Sequence, residues 1–140
     1  MKNKSFLALI GLISCSTPAF ADCAQHIFTV KRVPGAQYIV KPLAFDNLLE
    51  VYVNGNLARQ WKMPGSKPDE YDVGQLFTSG DNEVRFVGHN EQYGKNWHDP
   101  NPGEVGYSLP NVAEFKCQSG DYRGTTSPYK MFDHKYKIVN

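Results

Sequence analysis

The side chains best suited to chemistry gather in residues 88–110, GHNEQYGKNWHDPNPGEVGYSLP. This stretch holds Tyr93, Asn96, Trp97, His98, Asp99 and Tyr107. An aromatic ring takes the apolar face of a sugar, while amide, imidazole and carboxylate groups bond its hydroxyls. The stretch supplies both kinds and reads as a carbohydrate site. The same rings would also serve as anchors for a protein partner, or fold back as a small local core. Nothing in the stretch alternates as a strand would. Its aliphatic residues are Val105 and Leu109, set among Gly88, Gly94, Gly103, Gly106, Pro100, Pro102 and Pro110. It is therefore expected to be one long loop, a kind of segment that often carries function.

Catalytic chemistry has less support. His26, His89, His98 and His134 lack the H-E-x-x-H spacing that puts two ligands on one helix face. His98 and Asp99 are adjacent, so in an extended chain they point apart and form no dyad. There is no G-x-S-x-G elbow and no lone reactive cysteine. His89 with His98 as metal ligands is a weaker reading than hydrogen-bonded histidines. Asp69, Glu70 and Asp72 read as a solvated turn rather than a calcium site. The sequence points to no metal and no cofactor.

Composition narrows the classes. The 140 residues are 41% hydrophobic and 21% charged, enough apolar mass for a folded core. A formal charge of +1 argues against a nucleic-acid binder, which would show a basic excess. No run reaches the ~20 apolar residues of a membrane-spanning helix.

The first 21 residues read as an export signal. Lys2 and Lys4 make a positive start, Phe6 to Ile13 an apolar run, and Ala19-Phe20-Ala21 a small-residue cleavage pattern. Cleavage after Ala21 leaves one domain over 22–140, delivered to the periplasm or secreted. Leu12-Ile13-Ser14-Cys15 also resembles a bacterial lipobox, so lipidation at Cys15 stays open. After the Ala21 cut only Cys23 and Cys117 remain, and an even pair in an exported protein reads as a disulfide.

The elements that must position these groups read as strands. Eleven Gly and eight Pro remain after Ala21, which suits an all-β chain. His26 to Val33 is rich in β-branched and aromatic residues, and Tyr38 to Val40 is a short second run. Leu49, Val51 and Val53 alternate with Glu50 and Tyr52, the period of a half-buried strand. Asn54-Gly55 follows at once and predicts a two-residue hairpin into Asn56 to Trp61. Glu83 to Val87, Asn111 to Gln118 and Lys135 to Val139 are further strands. Phe132, His134, Tyr136 and Ile138 share one face and read as packing. The expectation is a single antiparallel β-sandwich with one disulfide.

Phe45-Asp46-Asn47-Leu48-Leu49-Glu50-Val51-Tyr52-Val53-Asn54-Gly55 resembles a signature of galactose-binding-domain-like β-sandwiches. Tyr71 to Phe77 and Gly80 to Phe86 continue the likeness, which covers about residues 45–88. The resemblance implies a jelly-roll fold. It says little about a ligand, because the matching residues are turn formers and core positions. Ser119-Gly120-Asp121-Tyr122 is similar to the S-G-x-Y loop of periplasmic lysozyme inhibitors. That resemblance implies a partner-binding role for Ser119, Gly120 and Tyr122.

Three functional classes follow. The leading one is an exported, non-enzymatic module binding a carbohydrate or cell-envelope glycan. The alternative is a periplasmic protein-binding inhibitor or immunity-type protein. The third is a small hydrolase with an unfamiliar site.

Overall fold

Asn54 and Gly55 both adopt positive φ, 49° and 83°. That is the backbone a tight hairpin between twisted strands demands. They join Leu48–Val53 (β3) to Asn56–Lys62 (β4) in antiparallel register, with Val53 opposite Asn56. The computed structural model describes residues 23, 26–45, 48–63, 65–90, 103–118 and 129–140. Among these, the remaining strands are His26–Lys31 (β1), Ile39–Phe45 (β2), Tyr71–Asp72 (β5), Asn82–Asn90 (β6), Glu104–Leu109 (β7), Ala113–Gln118 (β8) and Tyr129–Val139 (β9). A single 3-10 turn, Gly74–Leu76, follows β5.

The strands form two sheets packed as a sandwich. One has the order β1-β9-β6-β3-β4, the other β5-β2-β7-β8. Period-2 alternation decides which residues face inward. Leu49, Val51 and Val53 of β3 meet Val84 and Phe86 of β6, and Phe132, Tyr136 and Ile138 of β9, in one buried core. From the second sheet come Val40, Val105, Tyr107 and Leu109. Trp61 is fully buried, and its indole N–H donates to the Asp69 carboxylate and backbone carbonyl, at 2.9 and 3.1 Å.

Two features differ from the sequence reading. Residues 88–110 are not one loop. Gly88 to Asn90 finish β6, and Glu104–Leu109 form β7 between β2 and β8. Val105, Tyr107 and Leu109 alternate with Gly106 and Ser108, and all three are fully buried. The two aliphatics of the supposed loop are core residues of a strand. Second, β1 runs parallel to β9, with His26 beside His134 and Lys31 beside Val139. Strands joined by a two-residue turn must be antiparallel. β1 and β9 lie at opposite ends of the chain, and no short connection sets their relative direction.

The outer face of the larger sheet carries a charge pair that sets a pH dependence. Arg85 donates two bonds to Asp133, at 2.7 and 2.6 Å, and Lys130 adds a third at 3.1 Å. The Asp133 side chain is 7% exposed. Arg85, and then Lys130, hold its carboxyl down to about 2 against an ordinary value of 3.8. A depressed carboxyl stabilises the fold above the unfolded value and loses that contribution as pH falls toward 2. Wild type should therefore lose about 2 kcal/mol between pH 5 and pH 2 through this group. Urea titrations of wild type and Asp133→Asn across that range provide the measurement. Parallel pH slopes for the two proteins would show that the pair contributes nothing.

Candidate ligand-binding groove

Each sheet ends in an edge strand on the same side of the sandwich. These are β1 and β8, and they do not close on one another. Alternation turns His26, Phe28 and Val30 of β1 inward, and β8 faces them with Ala113 and Phe115. Thr29, Val112 and Glu114 complete the walls, with His134 and Tyr136 of β9 between them. The cleft measures about 450 Å³, within the range of small-ligand sites.

Its surface is mainly aromatic. Phe28 stacks on Tyr136 with centroids 5.3 Å apart and planes at 16°. His26 lies 5.3 Å from His134, and Phe115 meets His134 edge-on at 4.3 Å. Phe28 nonetheless remains 44% exposed. Polar side chains along its walls are His26 and Glu114. One end of the cleft is held by the Cys23–Cys117 disulfide, which ties the segment before β1 to β8 with Cα atoms 6.1 Å apart.

A buried layer sets the cleft's inner rings. The Tyr107 hydroxyl bonds His134 Nδ1 and the Tyr136 hydroxyl, each at 2.7 Å. Burial first, and then the Tyr136 contact, push the Tyr107 phenol far above its usual range. Burial also raises Tyr136. Both phenols therefore stay neutral at physiological pH. Their hydrogen bonds fix the His134 and Tyr136 rings at the back of the cleft.

The sequence-derived site residues fall as follows. Tyr107 lies in the core beneath the cleft, stacked on Phe86 with centroids 3.7 Å apart, and has no exposed face. Tyr93, Asn96, Trp97, His98 and Asp99 lie outside the described residues, as do Ser119, Gly120 and Tyr122 and, further upstream, Cys15. His89 is bonded to Glu50 at 3.2 Å. The three carboxylates of the 69–72 turn have separate partners. Asp69 takes Arg59 and Trp61, Glu70 takes Lys41, and Asp72 accepts from the Gly74 amide. Sequence reasoning missed His26 and Phe28. Their signal was present: both share one face of β1 with the apolar Val30.

Among the described residues no helix is long and apolar enough to cross a membrane. Comparison with protein-family models, curated proteins and solved structures found no match to this chain.

Proposed function

We propose that this chain is an exported, non-enzymatic binding module for a cell-envelope glycan, seated at the open edge between β1 and β8. One observation carries the reading: Phe28 stands half-exposed on Tyr136 at the mouth of an aromatic cleft. A sugar ring stacks on such a face. Its hydroxyls then find the imidazole of His26 and, on the β8 wall, the carboxylate of Glu114. The export-signal pattern of residues 1–21 supports the exported part of this reading.

A protein partner is the second reading. β1 is the outermost strand of its sheet among the described residues, and Ile27 on its outer face is 69% exposed. An extended peptide could add to such an edge.

The test is binding of the processed protein to an array of envelope oligosaccharides, repeated with Phe28→Ala. Loss of a stacking ring should weaken binding by about 1–3 kcal/mol. The melting temperature should change little, because Phe28 lies at the periphery. Binding unaffected by Phe28→Ala, or capture of peptides and no glycan, would overturn the glycan reading.

A further inference from the structure

Resting on the glycan reading, we infer that the ligand is an anionic glycan, one bearing uronate or phosphate groups. The cations that would recognise it stand on the outer face of the edge strand β1 and its neighbour β9. β1 turns Phe28 into the cleft and turns Ile27, Thr29 and Lys31 outward. Beside Ile27 and Thr29, in register on β9, are Lys135 and Lys137. A glycan that leaves the cleft over β1 reaches the face carrying these three lysines.

Several other surface cations are paired with carboxylates. Lys41 reaches Glu70, Lys116 reaches Glu104, Arg59 reaches Asp69, and Arg85 and Lys130 share Asp133. Among the described residues, Lys31, Lys135 and Lys137 have no carboxylate within ion-pair distance. The domain left after the Ala21 cut has 13 basic and 14 acidic residues. Glu83 stands in register with Lys137 on β6, so beside the Arg85–Asp133 pair this part of the outer face carries three lysines to one glutamate, a local excess of cations on a balanced chain. Like charges on neighbouring sites of one sheet face repel and carry a cost. An anionic ligand would relieve it. Ile27, exposed among them, offers apolar contact to the C–H face of a sugar.

The experiment is calorimetric titration of the processed protein with a uronic-acid oligosaccharide and a neutral one of equal length. It is run at low and high salt, with polyglutamate as a third probe. Wild type should bind the uronate about tenfold more tightly than the neutral sugar at low salt, and the advantage should shrink at high salt. The double variant Lys135→Gln/Lys137→Gln should lose that tenfold while keeping its affinity for the neutral sugar and its melting temperature. Lys31→Gln should lose a smaller part. Equal affinity for both sugars would overturn the anionic assignment and leave the glycan reading standing. Polyglutamate binding as tightly as the uronate would also overturn it, because the rim would then be a general polyanion surface. If neither sugar binds, both proposals fall together.

Discussion

Tyr107→Ala is expected to destabilise the fold by about 3–5 kcal/mol, the cost of truncating a large ring in a close-packed core. Tyr107 is fully buried, lies 3.7 Å from Phe86 between ring centroids, and contacts Phe115 and Phe132. Its hydroxyl also bonds the two rings lining the cleft. Tyr107→Phe keeps the packing and removes only those bonds, so it should cost about 1–3 kcal/mol. The milder variant should also loosen His134 and Tyr136 and weaken the proposed glycan binding. Urea denaturation of both variants, with titration on the phenylalanine variant, separates packing from hydrogen bonding. A Tyr107→Ala protein as stable as wild type would contradict the burial described here.

Breaking the Cys23–Cys117 bond should have a comparable effect. The two residues are 94 apart in sequence. In the chain-entropy model, closing a loop of that length stabilises the fold by about 4–5 kcal/mol. The Cys23→Ala/Cys117→Ala variant should therefore unfold at a much lower urea concentration than oxidised wild type. Reduced wild type should match the variant. Coincident midpoints with and without reductant would refute the expectation. Because the bond holds one end of the cleft, the variant should also lose ligand affinity at temperatures where it is still folded.

The hairpin was readable because Asn54-Gly55 is a local signal flanked by strict alternation. The cysteine pairing was readable because only two cysteines follow Ala21. β7 was hidden by its own residues. Its positions between the core side chains are Gly106 and Ser108, and the segment sits among Gly and Pro, so composition outweighed the Val105, Tyr107, Leu109 alternation. Gly106 is there for a reason no window along the sequence reveals. A Cβ at that position would come within 2.6 Å of the Phe115 carbonyl oxygen on the neighbouring strand. The cleft was the least legible part. It depends on pairing His26 with His134, and no turn or spacing records a parallel contact between chain ends. The face of Phe132, His134, Tyr136 and Ile138 was recognised as packing, and its burial agrees. What could not be read was that β1 lies beside it and leaves one side open.

The β1–β9 pairing also orders events in time. His26 and His134 are 108 positions apart, and β6 likewise pairs with β9. The β3–β4 hairpin can form as soon as its own residues are free. β1 has no neighbour in its sheet, and β6 only β3, until β9 has emerged. Distant pairings of this kind must bear the loop-closure entropy before any contact rewards them, and they make folding slow. Under the proposed export, a chain threaded unfolded across a membrane would benefit from that delay, since β1 cannot dock before β9 has arrived.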